Sequence, residues 1–116
     1  MNDILLTKDS DALICILYKK YKQDIKNGSP KADARVFGSS KEIYENLIPK
    51  WSYDDVDDTC SSLKRAELVS CWYADDVAYR VELTDKGIIY MENRFKNGVD
   101  GVIEHIGKLK GLVPFI

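Results

Sequence analysis

A chain of 116 residues, 45% hydrophobic and 31% charged, is long enough to bury one domain core without disulfides or metals and too apolar to remain disordered. Its net charge of −2 gives no overall attraction to nucleic acid or to acidic membranes. The charge is uneven, however: residues 8–41 hold eight Lys or Arg against four Asp, whereas residues 42–116 hold nine basic against fourteen acidic residues. Any electropositive face has to come from the N-terminal third.

Cys15, Cys60 and Cys71 each sit inside an apolar pattern, which reads as buried, reduced thiols in an intracellular protein. No CxxC or His/Cys cluster has zinc spacing. The first residues carry acid where a signal peptide carries basic groups, and the longest apolar run, Ala12 to Tyr18, is too short to span a bilayer. The expectation is a cytoplasmic protein with no membrane span, cofactor or metal.

In chain order, a first helix is predicted from Lys8 to Lys26. Leu13, Leu17, Tyr21 and Ile25 recur at spacings of four, with Ile14 and Tyr18 beside them. Lys19, Lys20, Lys22 and Lys26 gather in its last turns, where cations meet the negative helix end, and Asn27-Gly28 is a fitting stop. Ser29 to Gly38 reads as a connecting loop with a short edge strand at residues 34–37. Ser39 with Glu42 forms a capping box that opens a second helix; Ile43 and Leu47 face inward and Pro49 ends it.

The third helix starts at Ser52. At 100° per residue, Val56, Thr59, Cys60 and Leu63 share the core face, while Asp54, Asp58, Ser61 and Arg65 form the opposite line. Asp55, Asp57, Ser62 and Lys64 flank that line. Two strands follow around the turn Ala74-Asp75-Asp76, which is too short for an extended wing. In the second strand Val77, Tyr79, Val81 and Leu83 alternate with Ala78, Arg80 and Glu82, so the first set is expected to be buried. Thr84 caps a helix with Ile88, Met91 and Phe95 inward and Gly87 where helix and sheet approach closely. After Asn97-Gly98, Val99, Val102, Ile103, Ile106, Leu109 and Val113 make a last amphipathic stripe. Gly101, Gly107 and Gly111 each weaken that helix by about 1 kcal/mol, so it needs packing within the chain or across a dimer. Two units are expected: a domain over residues 1–96 and a helical extension over 97–116, a candidate dimerisation element.

The phrase Tyr79-Arg80-Val81-Glu82-Leu83-Thr84-Asp85-Lys86-Gly87 resembles the strand-to-helix "YxLTxKG" of small bacterial winged-helix regulators of the MarR and PadR type. Asp57 to Val69 is similar to their recognition helix and its exit into the sheet, with Glu67 where glycine is usual. Within the superfamily, the small YjcQ-like proteins of Gram-positive bacteria and their prophages share an acidic stretch before "LKRxxYI" and "LTxKGxxYxxE". The resemblance implies an α+β, mainly α fold: a winged helix with a small antiparallel hairpin wing and a C-terminal helical extension. It also implies a non-enzymatic, regulator-like protein that binds double-stranded DNA as a homodimer.

On that reading the DNA-contacting candidates are Lys19, Lys20, Lys22, Lys26, Lys31, Arg35 and Lys41 in the basic strip, with Ser61, Lys64, Arg65 and Arg80 on the third helix and hairpin. The aspartates argue the other way, since groove-facing helices normally carry Arg, Lys, Asn or Gln. The alternative is a protein-interaction module that does not bind DNA. Its candidate residues are Asp54, Asp58, Trp72 and Tyr73, with Val102, Ile106 and Leu109 on the terminal helix. Trp51 reads as a hydrophobic staple. His105, the only histidine, has no nucleophile or metal partner in sequence spacing, and no catalytic residue is expected.

Overall fold

The computed structural model describes residues 4–110. The chain forms α1 (Lys8–Lys26), α2 (Lys31–Ala34), β1 (Val36–Gly38), α3 (Ser40–Leu47), α4 (Tyr53–Arg65), β2 (Val69–Ala74), β3 (Val77–Leu83), α5 (Asp85–Arg94) and α6 (Val99–Leu109). The fold is α+β and mainly helical, with one antiparallel sheet in the order β1-β3-β2. A short strand, two helices and a hairpin, with both strands of the hairpin and β1 in one sheet, make a winged-helix-like arrangement to which α6 is added.

Local chemistry sets most boundaries. The Thr7 hydroxyl accepts from Ser10 N at 3.1 Å and opens α1. Its other end closes with paired turn bonds, Ser29 N to Asp24 O and Gly28 N to Ile25 O, which need the positive φ of Gly28. Ser39 and Glu42 form the capping box of α3, and the Ser52 hydroxyl caps α4 through Asp55 N. The segment expected to be all loop before α3 holds one helical turn, α2, and its strand lies at 36–38 rather than 34–37. Pro30 precedes that turn with φ preset for a helix start.

The exit of α4 repeats the close of α1. Leu68 N bonds Leu63 O and Glu67 N bonds Lys64 O, and Glu67 holds φ +64°. The glutamate therefore takes up the left-handed conformation that glycine adopts without strain, so the turn is kept despite the replacement. Glu67→Gly should stabilise the protein by about 1 kcal/mol; chemical denaturation checks this, and a loss of stability would refute it.

The hairpin departs from regular alternation. Trp72 pairs with Arg80, yet Tyr73 pairs with Ala78, leaving Tyr79 as an extra residue in β3. This β-bulge shifts the inward set by one position beyond it. Val81 and Leu83 are buried as expected, but Ala78 replaces Tyr79 on the inner face, and Tyr79 is 47% exposed. Asp75 and Asp76 both have positive φ, which makes the two-residue turn match the hairpin twist.

The core collects Leu13, Ile14, Leu17 and Tyr18 of α1, Ile43 of α3, Val56, Cys60 and Leu63 of α4, and the inner faces of β2 and β3. Trp51, read as a hydrophobic staple, belongs to it as well. At α5, a Cβ on Gly87 would lie 2.1 Å from Leu68 O, so only glycine permits this approach of helix to strand. The apolar stripe of α6 is covered by α1 of the same chain: Val102 and Leu109 are buried and Ile106 is partly buried. Ile103, expected in that stripe, is 47% exposed. The continuation of the stripe to Val113 lies outside the described residues.

Candidate functional site

Two surfaces and one polar cluster carry the chemistry of this fold. The first surface is the outer face of the hairpin with the exposed side of α4. Trp72 is 53% exposed, Tyr79 47% and Tyr73 38%. Trp72 and Tyr79 meet edge to face with ring centroids 6.5 Å apart, a geometry that aligns a positive ring edge with a negative ring face. The Arg80 guanidinium stacks over Trp72 at 5.0 Å and bonds Glu82 at 3.3 Å. Tyr73 turns toward α4 instead: its hydroxyl lies 2.9 Å from the Ser61 hydroxyl, and Lys64 sits 4.6 Å over its ring. The bulge is what brings the aromatic at position 79 outward beside Trp72.

The exposed side of α4 is divided by charge. Asp54, Asp55 and Asp58 are exposed on its first turns, and Lys64 and Arg65 on its last, each sign complementing the nearer end of the helix dipole. Asp57, read as a flank of the solvent line, has a structural role. Its Oδ1 accepts from the Ser40 hydroxyl at 2.7 Å and from Ala78 N at 3.2 Å, which ties α3, α4 and β3 together. Asp57, through Ala78 N, and Ser61, through the Tyr73 hydroxyl, both bond the hairpin and fix α4 against it.

The basic strip is broken up by ion pairs. Lys20 bonds Asp24 at 2.6 Å one turn along α1. Arg35 donates from Nε to Leu83 O at 3.0 Å and from Nη2 to Asp85 at 2.6 Å, with Glu82 at 3.8 Å. Arg35 is therefore a clamp between α2 and the strand-to-helix junction, and its fork is already used. Among the described residues, Lys19, Lys22, Lys26, Lys31 and Lys41 form no ion pair.

The polar cluster was not legible along the chain. Asp11 of α1, Arg94 of α5 and His105 of α6 meet at the seam of three helices. Arg94 binds Asp11 through both nitrogens, at 2.5 and 2.9 Å. His105 Nε2 lies 2.8 Å from Arg94 Nη2 and 2.9 Å from Asp11 Oδ2. That single ring nitrogen either accepts from Arg94 or donates to Asp11, so the tautomer decides which helix it engages. Phe95 packs against the imidazole, with ring centroids 5.5 Å apart. Burial opposes ionisation of Asp11, but the hydrogen bonds and charges of Arg94 and His105 outweigh it and hold the carboxyl below its ordinary range.

Cys15 Sγ lies 3.7 Å from Asp11. Burial, with the Asp11 charge added, pushes this thiol up to about 12, so it stays protonated and unreactive. Asp11, Cys15 and His105 do converge within 4.8 Å of one another, close enough to hold a metal ion. The Arg94 guanidinium occupies the carboxylate of that set, which makes the cluster a salt-bridged seam. All three cysteines are free and buried.

No protein-family model, no curated protein and no solved structure matches this chain. Among the described residues no helix is long and apolar enough to cross a membrane.

Proposed function

We propose that this chain is a small, non-enzymatic winged-helix protein of the cytoplasm that docks a partner protein on its hairpin face and does not read duplex DNA through α4. The observation that carries the reading is the aromatic pair Trp72–Tyr79, held outward by a bulge and backed by Arg80. Large, rigid aromatics with an arginine are the residue types that dominate binding energy at protein interfaces. Beside the pair, the exposed Asp75 and Asp76 of the hairpin turn favour a partner whose apolar centre is flanked by basic groups. Free, buried thiols suit the reducing cytoplasm.

A second reading keeps DNA as the ligand, favoured by Lys64 and Arg65, neither of which has a carboxylate partner among the described residues. Three of the eleven candidate DNA contacts, Lys20, Arg35 and Arg80, are engaged by carboxylates, and the aspartates repel phosphates. Titration with non-specific duplex DNA at low and physiological salt separates the readings, because the phosphate contribution is greatest at low salt. No binding at low salt is expected. Binding that Arg65→Ala weakens would establish the conventional docking and overturn the proposal; binding abolished by charge reversal at Lys22 and Lys26 would point to the basic strip.

For the partner surface, a photo-crosslinking residue at position 79 in the full chain should capture a protein, and Trp72→Ala should abolish the capture. That substitution removes an exposed ring and should change stability by less than about 0.5 kcal/mol. Equal capture with and without Trp72 would defeat the proposal.

A further inference from the structure

A half-open cleft of about 290 Å³ lies between the C-terminal half of α1, the end of α3 and the end of α6. Its apolar walls are Ile16, Leu47 and Ile106, each partly buried and packed against the core. Lys19, Lys20 and Lys110 stand at its rim, and no carboxylate lines it. Lys20 is neutralised by Asp24, whereas Lys19 and Lys110 form no ion pair among the described residues. The α6 wall is set independently by the Asp11–Arg94–His105 seam, so the cleft exists before anything enters it, which lowers the ordering cost of binding.

We propose that this cleft binds a small amphipathic monocarboxylate, its apolar body against Ile16, Leu47 and Ile106 and its charge at Lys19 and Lys110. Two unengaged cations beside an apolar wall are complementary to one negative charge on a short hydrocarbon. The ends of α3 and α6 open here and present negative dipole ends, which weighs against a dianionic phosphate or a nucleic-acid backbone. The volume accommodates a medium-chain fatty acid but not a folded peptide. This reading is independent of the hairpin proposal, since none of its residues belongs to that face.

The test is titration of the isotope-labelled full chain with sodium octanoate, followed by backbone amide NMR. Octan-1-ol serves as the uncharged probe of the same body. Octanoate should shift the amides of Ile16, Leu47 and Ile106, and octanol should bind about tenfold more weakly. Joint replacement Lys19→Glu and Lys110→Glu should weaken octanoate about tenfold while leaving octanol unchanged, a readout that loss of folding would not reproduce. The proposal falls if octanoate moves no cleft amide at millimolar concentration, or if the two probes bind equally. It falls also if Leu112→Asp with Phe115→Asp moves these amides and octanoate does not, because the chain's own segment would then be the occupant.

Discussion

Gly87→Ala should destabilise the protein by about 3 kcal/mol, because the added methyl would meet Leu68 O at 2.1 Å. The obstacle is backbone, so no side chain can rotate away. The same carbonyl accepts from Thr84 N at 3.2 Å, and relief would require α5 to leave the sheet or β2 to tilt. The Thr84 hydroxyl both caps Gly87 N at 2.9 Å and donates to Glu67 O at 2.7 Å, so the movement would loosen three bonds at one corner. Gly107→Ala is the control. Nothing lies within 4 Å of its Cβ position in α6, and alanine there should stabilise by about 1 kcal/mol through helix propensity. Thermal or urea unfolding of the two variants should give shifts of opposite sign; a mild effect at position 87 would mean that α5 does not pack as described.

The second large effect is expected at the helix seam. Asp11→Asn should cost about 2 kcal/mol, less than the 3–5 typical of breaking a fully buried pair because Arg94 retains some solvent access. The variant keeps the shape of the side chain but leaves the Arg94 charge uncompensated beside His105. The pH dependence follows from the sign of the shift. The folded carboxyl ionises below its unfolded value of about 3.9, so its contribution is fully present above that value and disappears as pH falls through the lower, folded one. The stability gap between wild type and Asp11→Asn should hold from neutral pH to about pH 4 and close under stronger acid. A gap that does not vary with pH would show that the loss comes from packing and not from charge.

How much of this was legible in the sequence depended on how local each feature is. Thr7 was not read as a cap, but Ser39 with Glu42, Ser52 and Thr84 act through partners three residues away, and all three were found by spacing alone. The core face of α4 likewise follows from helical geometry. Alternation failed in β3 because one bulged residue, Tyr79, breaks the period of two, and a bulge leaves no mark in the order of apolar and polar residues. Asp57 was misread because its partners, Ser40 and Ala78, arrive from other elements. His105 looked isolated for the same reason: Asp11 lies 94 positions away. Arg35, Lys20 and Arg80 counted as available cations until their carboxylates were located in space. The terminal stripe was recognised as needing cover, but only the packing of α6 on α1 supplies it within the chain. Opposite strand faces imply that one of Trp72 and Tyr73 is exposed; both are, because Tyr73 lies near the end of β2, beyond the covered part of the sheet.

The bulge in β3 uncouples the outer aromatic from the inner face of the same strand. Removing residue 79 would restore a regular ladder in which Ala78, Val81 and Leu83 still point inward and Arg80 still faces out. The core would be unchanged, and only the outer aromatic would vanish. A single-codon deletion at this position therefore takes the Tyr79 ring off the outer face and leaves Trp72, Arg80 and the scaffold in place.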